Sequence, residues 1–448
     1  MPRVTSDEGA PPGPTLGAVL RASGIDAVYG EALDGIAVTP VASAELAQLL
    51  ARVHQRVHGR QAAVLTGHLL AVPGPDPERI VVSTSGEVAA LPPLLASGRG
   101  VEVELAVDPS ARQVGVVPTA PPVPDPWVEP SPETLAALAA AERPVVLAGP
   151  GVVAHGGVPG LHALAASGHL GVLNTWGAKG VFNWQSRHHL ATVGLQSLDF
   201  RLGGLPGSDL IVATGLDPDE SPDECWQLGP FVDVDPRALS LLAERSTRVW
   251  DWAEVPQIRQ GLAAVTQEGW ADERSPLAPS RVTRNYGAAL AGGGRVAADA
   301  GTAGFWLART FGTSELGSAQ VPPVEEPGFA AAVALVTRLR SPGRPVLALV
   351  DGPPSPRTLE LMDLADSLGV GFGVEAWAEE GPALDAEAHL ARARGLAVVD
   401  RCELATVATA PWQLGRIVDV AGPVVAWGGS AVEDRSVLPS SLHQGESP

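Results

Sequence analysis

The sequence predicts an α/β protein composed of three doubly wound, parallel-sheet domains, and two observations support this fold class. Throughout the chain, short runs of β-branched or apolar residues alternate with Ala- and Leu-rich stretches of helical length, which is typical of parallel sheets covered by helices. Pro-containing polar stretches at 118–132 and 267–280 also divide the 448 residues, too many for one core, into three segments of ordinary domain size.

The elements and domain limits follow from these runs. We expect domains at 1–117, 133–265 and 282–431, with a linker at 118–132 and a polar tail at 432–448. The expected strands are 36–41 and 62–65 in the first domain, 144–148, 170–174, 210–214 and 231–234 in the second, and 295–299, 346–350 and 370–374 in the third; helices are expected at 44–58 and 160–167.

The composition argues against several classes of protein. A net charge of −20 disfavours binding to nucleic acid or anionic lipid, because such binding depends on clustered Lys and Arg. Cys225 and Cys402 are too few for a disulfide framework or a Cys-rich zinc site. The first 14 residues lack the apolar core of a signal peptide, and no apolar run reaches membrane-spanning length. We therefore expect a cytoplasmic protein without membrane contacts.

A glycine-rich turn in the middle segment is the first candidate ligand site. The apolar run 145–147 leads into Ala148-Gly149-Pro150-Gly151, and a strand that enters such a turn before a helix can bring backbone N–H groups close to a phosphate. The spacing is not GxGxxG, so the dinucleotide fingerprint is absent. The turn predicts either a nucleotide contact at Gly149 and Gly151 or a tight connection that needs no ligand.

Four motifs follow this turn in a characteristic order. They are Asn174-Thr175-Trp176-Gly177-Ala178-Lys179-Gly180, Thr192-Val193-Gly194-Leu195-Gln196, 209–215 (DLIVATG) and Val232-Asp233-Val234-Asp235-Pro236. Over 143–236, their order and spacing resemble the central domain of the acetolactate synthase group of thiamine-diphosphate (ThDP) enzymes. The resemblance implies a domain that holds FAD or ADP in some relatives and is purely structural in others.

The resemblance also implies what lies on either side of this domain. A pyrimidine-type domain is expected before it, here shortened, and a pyrophosphate-type ThDP-binding domain after it. In the family, ThDP and Mg²⁺ are held where one domain of each type meets at a subunit interface. A homodimer or homotetramer is therefore implied, or a hetero-oligomer with an intact ThDP enzyme subunit.

The catalytic candidate in the first domain is Glu45. In the family, a Glu at the start of the second helix hydrogen-bonds the aminopyrimidine of the cofactor and activates it. The motifs 24–30 and 44–51 resemble the family's, but its Glu aligns with Ala44. Since one residue is about 100° around a helix, Glu45 is expected to point elsewhere, as an exposed residue favoured by the helix dipole. The stretch 65–68 is the nearest trace of the family's next loop.

The third domain carries traces of the diphosphate and metal site. The stretches 299–302, 327–332 and 346–352 resemble the family's cofactor loops and imply cofactor contacts at Gly301, Thr302, Gly328 and Gly352. Magnesium on a diphosphate prefers hard oxygen ligands. The resemblance assigns these ligands to Asp351 and, where the family has Asn, to Glu375. A second carboxylate that faces diphosphate adds a repulsion that an amide avoids.

Two hypotheses from different classes follow. The first is an enzyme, a ThDP-dependent decarboxylase or carboligase (a lyase or transferase) that acts on a 2-oxo acid through a degenerate active site. The second is a pseudoenzyme, a catalytically inactive homologue that acts as a structural or regulatory subunit. A third alternative is a nucleotide-binding module that uses only the central domain.

Overall fold

A computed structural model of the chain describes residues 15–74, 77–84, 87–95, 100–106, 109, 128–250, 255–378 and 380–429. These residues form three sheets dominated by parallel strand pairs, which confirms the α/β fold class. The chain divides into two compact units, 1–126 and 127–448, and the second unit contains two of the sheets. The expected tail at 432–448 and residues 118–127 of the expected linker lie outside the described residues.

The first unit contains a mixed sheet with helices packed on it. Its described elements are α1 (Leu16–Ala22), β1 (Ala27–Gly30), β2 (Val38–Pro40), α2 (Ala44–His58), β3 (Ala62–Thr66), β4 (Leu69–Val72), β5 (Glu78–Val82), α3 (Leu91–Leu95) and β6 (Val101–Leu105). The strand order is β2-β1-β3-β4-β6-β5. Helix α2 begins after Ser43, whose side chain accepts the Leu46 N–H, and ends at Gly59, where φ is 66°.

Strand β4 makes this sheet differ from the parallel sheet that the sequence predicts. Only two residues, Gly67 and His68, separate β3 from β4, and Gly67 has a φ of 57°. Such a connection is too short for a crossover, so β4 runs antiparallel to β3, with Thr66 opposite Leu69. The stretch 65–68, the nearest trace of a family loop in the sequence, is therefore a hairpin turn.

The middle sheet is parallel throughout its described strands. Its elements are α4 (Pro132–Ala140), β7 (Pro144–Ala148), α5 (Gly151–Ala154), α6 (Val158–Gly168), β8 (Val172–Thr175), β9 (His189–Val193), α7 (Asp199–Leu202), β10 (Leu210–Thr214), α8 (Asp223–Trp226), β11 (Phe231–Asp233) and α9 (Leu239–Arg245). The order is β11-β10-β7-β8-β9. Every residue of β7 and β10 is buried, which explains their unbroken apolar runs.

The last sheet is also parallel among its described strands. Its elements are α10 (Gln257–Ala271), α11 (Pro279–Ala289), β12 (Arg295–Ala298), α12 (Thr302–Thr310), β13 (Ala319–Gln320), α13 (Phe329–Arg340), β14 (Val346–Asp351), α14 (Pro356–Ser367), β15 (Gly373–Ala378), α15 (Ala386–Leu396), β16 (Glu403–Ala408) and α16 (Trp412–Ala421). The order is β13-β12-β14-β15-β16.

Within the second unit, buried polar contacts join the middle and last sheets. Arg309 of α12 donates to both carboxylate oxygens of Asp199 in α7, at 2.9 and 2.7 Å, and both side chains are fully buried. Helix α10 packs on both sheets, since Ile258 lies in the core of the middle sheet and Val265 in that of the last. The predicted end of the central domain at 265 therefore falls inside a helix.

Helix α2 matches the predicted helix 44–58 at both ends, and among the strands the agreement is best where every residue is buried. Strands β7 and β10 match the prediction at both ends, whereas β15 begins at Gly373 rather than at 370. Val370 instead donates its N–H to Ala365 O and belongs to the C-terminal turn of α14, where Gly369 has a φ of 70°. The edge strands β9 and β16 carry polar residues and have no counterpart in the prediction.

Candidate functional site

The order of the last sheet places a crevice between β12 and β14. Chain direction along the sheet reverses there, and open parallel sheets bind ligands outside the carboxyl ends of their strands at such a point. Asp299 directly follows β12, and Asp351 is the last residue of β14. The structure therefore brings both aspartates to the crevice.

The two aspartates bind the helix N-termini that face this crevice. The carboxylate of Asp351 accepts the N–H groups of Thr302, in a short contact, and of Ala303, at 3.0 Å. These are the first two residues of α12. The carboxylate of Asp299 accepts the N–H groups of Gly328, at 3.0 Å, and Ala330, at 2.7 Å, at the start of α13. Amides that could hold an external anion are thus bound to the protein's own carboxylates.

The crevice is also electrostatically unfavourable for a further anion. Burial raises the pKa of Asp299 to about 6, although the amides of Ala330 and Gly328 lower it, and the charges of Asp351 and Glu326 raise it further. A diphosphate would have to approach these carboxylates and compete with them for the same amides.

Glu375 lies away from the crevice. It is in the middle of β15, opposite Leu349 and Ala405, and it is fully buried. Its Oε2 accepts the hydroxyl of Tyr286 in a short hydrogen bond and lies 3.0 Å from Nε2 of His389. Burial raises the pKa of Glu375, but the contacts with His389 and Tyr286 outweigh this and hold the pKa below its usual value. Glu375 belongs to a buried polar network beneath α11 and α15.

The residues of the last domain do not fit magnesium diphosphate. Asp351 and Glu375 do not converge, since Asp351 pairs with Trp377 across the sheet and Glu375 points into a different network. Gly352, with a φ of 61°, donates its N–H to Trp377 O at 2.6 Å. Within the described ranges, no group of three His, Cys, Asp or Glu side chains could hold a metal ion.

The glycine-rich turn of the middle sheet is closed by backbone contact. It lies at the corresponding reversal point, between β7 and β10. The N–H groups of Gly149 and Gly151 donate to Thr214 O and Gly215 O, each at 2.9 Å. A Cβ added at Gly149 would lie 2.3 Å from the Gly215 oxygen. The glycines are therefore needed where two turns touch, and this geometry supports the ligand-free interpretation.

Glu45 lies on the solvent side of α2. Both Ala44 and Glu45 are exposed in the first turn of the helix, whereas Leu46 and Ala47 turn towards the core. The first-turn position suits a carboxylate because of the helix dipole. In the first unit, Glu45 is placed as an exposed surface residue.

A second site, which the sequence did not predict, lies in the second unit beside the edge strand β9. It is a half-open cleft of about 220 Å³ between β9, the loop after β8, α10 and the end of α12. Its lining residues are Lys179, Trp184, His189, Leu190, Ala191, Thr192, Arg259, Leu262, Ala263, Thr266, Gln267, Trp270, Arg309, Thr310, Phe311 and Gly312. We refer to it as the Lys179 cleft.

The polar groups of the Lys179 cleft are basic. Lys179 is 8% exposed, and its pKa is lowered to about 7, first by burial and then by the charge of Arg309. The pKa of His189 is lowered to about 4 by burial and by the charges of Lys179 and Arg259. At neutral pH the cleft therefore holds a neutral imidazole, a lysine close to half protonation and two guanidinium groups.

One sequence feature was available to indicate this cleft, although it led to no prediction of a site. Lys179 is the only lysine of the chain, and it stands in one of the four recognised motifs. The other lining residues come from β9, α10 and α12, far apart in the sequence. Nothing in the local pattern of those segments indicates that they meet.

A comparison with known families gives a match over the middle of the chain. Residues 132–249 match the family described as "Thiamine pyrophosphate enzyme, central domain", and this match supports membership of the thiamine-diphosphate enzyme superfamily. A comparison with curated proteins finds no match. The matched description names thiamine pyrophosphate, and nothing in it supports FAD or ADP. In the part of the chain that is described, no helix is long and apolar enough to cross a membrane.

Proposed function

We propose that this protein is a non-catalytic member of the superfamily that acts as a structural or regulatory subunit. The main observation in support is that Asp351 and Asp299 bind the amides at the starts of α12 and α13. A carboxylate at a helix N-terminus takes the place that a phosphate group needs. The position of Glu375 in a separate buried network supports the same conclusion.

The partner in this proposal is a second copy of the chain or an intact ThDP enzyme subunit. Members of the superfamily are typically oligomeric. A homodimer or homotetramer keeps the family arrangement without the cofactor. In a hetero-oligomer, the chain serves as a structural or regulatory subunit beside an active partner. Light scattering of the purified chain distinguishes an oligomer from a monomer, and a monomeric chain argues against the first arrangement.

Calorimetric titration of ThDP with Mg²⁺ tests the loss of the cofactor. The full chain is expected to give no saturable heat at millimolar cofactor, while an intact ThDP enzyme in the same buffer serves as the positive control. Asp351→Ala frees the amides of Thr302 and Ala303, so this variant is expected to gain weak binding of inorganic diphosphate with Mg²⁺.

The control is Asp385→Ala, which removes an aspartate that caps α15 through the Ala388 N–H at 2.8 Å. It frees one amide rather than two, and it is therefore expected to gain no diphosphate binding. Saturable ThDP binding to the unmodified chain that is lost in Asp351→Ala contradicts the proposal and assigns Asp351 to the metal.

The second candidate is a ThDP-dependent decarboxylase or carboligase of the acetolactate synthase type, and the family match of 132–249 is the observation that favours it. Consumption of a 2-oxo acid such as pyruvate, dependent on ThDP and Mg²⁺, would establish it. FAD, ADP and NAD in the same titration test the nucleotide-binding alternative, for which the closed turn at Gly149 gives no support.

A further inference from the structure

The Lys179 cleft combines a basic floor with an apolar body. Its lining includes Lys179, Arg259 and Arg309 and contains no Asp or Glu, in a chain with 50 acidic and 30 basic residues. Arg309 forms a buried ion pair with Asp199. The charges of Lys179 and Arg259 have no such compensation among the described residues.

Among the residues that the structure describes, no carboxylate pairs with Lys179 or Arg259. Arg259 donates to main-chain oxygens only, to that of His189 in a short contact and to that of Trp184 at 3.5 Å. The Lys179 amine makes no hydrogen bond and no ion pair with any described residue, although the side chain is more than nine-tenths buried. Nδ1 of His189 is also buried without a hydrogen-bond partner there.

A purely structural role does not account for this arrangement. Burying an ammonium group is unfavourable unless a carboxylate or several carbonyl oxygens compensate it, and structural lysines are paired for this reason. Here the amine lines an open cleft, where a ligand can supply the missing oxygen atoms. Buried polar groups that converge on a largely apolar pocket are characteristic of small-molecule sites.

The apolar part of the cleft suits a flat ligand. Leu190, Leu262 and Phe311 line it, and the rings of Trp184 and Trp270 meet edge to face, 6.2 Å apart at 86°. A volume of about 220 Å³ holds roughly seven water molecules at ~30 Å³ each. That is enough for a compound with one ring.

We propose that the Lys179 cleft binds a small aromatic carboxylate, with the carboxylate at Lys179 and Arg259 and the ring among the apolar and tryptophan side chains. The ligand carboxylate supplies the charge that the cleft lacks, and the ring covers the apolar wall. This proposal does not depend on the state of the crevice at Asp351, because the two sites share no residue.

Titration of the chain with benzoate tests the proposal, and tryptophan fluorescence and calorimetry measure the binding. Saturable binding is expected at millimolar or lower concentration. Benzamide, which has the same shape without the charge, is expected to bind at least tenfold more weakly than benzoate. Inorganic phosphate, which has charge without a ring, is also expected to bind at least tenfold more weakly.

Two variants locate the site, and a third serves as the control. Lys179→Met keeps the length of the side chain without its charge and is expected to weaken benzoate binding at least tenfold. Ala263→Trp fills the exposed rim of the cleft from α10 and is expected to abolish binding while leaving Lys179 in place. Arg416→Gln removes an exposed arginine outside the cleft and is expected to bind as the unmodified chain does.

Three results would overturn the proposal. They are no saturable benzoate binding, equal affinity for benzoate and benzamide, and unchanged affinity in both Lys179→Met and Ala263→Trp. If Lys179→Met does not fold, Ala263→Trp and the benzamide comparison still decide the question.

Discussion

The crevice at Asp351 and the Lys179 cleft lie in the same compact unit but differ in whether their polar groups have partners within the chain. In the crevice, the amides at the starts of two helices are bound to carboxylates of the chain. In the cleft, a buried amine has no partner among the described residues. The first arrangement satisfies the helix N–H groups and leaves little for a ligand to bind. The second is costly to the fold, because a buried amine lacks a partner that a ligand carboxylate could supply.

This difference separates the place where the fold usually binds ligands from the place where a buried amine has no partner among the described residues. The crevice lies where parallel sheets usually bind their ligands, yet its contacts are internal. The cleft lies beside an edge strand, where the topology gives no reason to expect a site. Unpaired charge, more than position in the fold, therefore identifies the better candidate.

The largest expected effect is on the cleft. Lys179→Met is expected to stabilise the protein by about 4 kcal/mol at pH 7, at 1.36 kcal/mol per pKa unit, because the pKa of Lys179 falls from 10.5 to about 7 on folding. The folded chain binds this proton less tightly than the unfolded chain. The unmodified chain should therefore gain stability as the pH rises from 7 to 10.5. Near pH 10.5 the difference in the free energy of unfolding between Lys179→Met and the unmodified chain should vanish. Urea unfolding of both proteins measures it; a destabilised variant would contradict an unpaired amine.

The second prediction concerns the pH dependence of the crevice. The pKa of Asp299 rises from 3.8 to about 6 on folding, so its contribution to stability is fully present below pH 3.8 and is lost as the pH rises through 6. Relative to Asp299→Asn, the free energy of unfolding of the unmodified chain should fall by about 3 kcal/mol over this range. Urea unfolding gives the free energy of unfolding of both proteins at each pH. If these free energies change with pH in parallel, Asp299 is not responsible for the loss.

The third prediction tests the backbone closure of the middle sheet. Gly149→Ala places a Cβ 2.3 Å from the Gly215 oxygen. Because neither backbone can give way cheaply, we expect a loss of about 2 to 3 kcal/mol in the free energy of unfolding. Gly395→Ala is the control, since a Cβ at Gly395 in α15 meets nothing within 4 Å. It should be neutral or stabilise the protein by about 0.5 kcal/mol. Equal results for the two variants would remove the argument for contact between the turns.

The smallest expected effect is the loss of a helix cap. Asp351→Ala should cost about 1 kcal/mol, as does the removal of a typical N-terminal cap, and Asp385→Ala should cost a similar amount. The two variants should differ only in diphosphate binding. A loss in Asp351→Ala of several times that in Asp385→Ala, measured by thermal unfolding, would indicate that Asp351 supports more than the start of α12.

The sequence by itself determined the fold class and indicated the superfamily of the middle domain. Apolar runs such as 144–148 and 210–214 are buried on both sides, so their pattern identified strands and their limits. The four motifs of the middle domain are local strings of residues, and the family match over 132–249 confirms the superfamily that they indicated. Short-range patterns were sufficient because each of these features is formed within one stretch of chain.

The tertiary structure alone decided which candidate residues could act together. Asp351 and Thr302 are 49 residues apart, and only the sheet order places the carboxylate on the amide. Glu375 is one of many acidic residues in the sequence, but the alternation of side chains along β15 directs it into the buried network of Tyr286 and His389. The cleft around Lys179 exists only because β9, α10 and α12 pack together, and no local pattern encodes the meeting of distant segments.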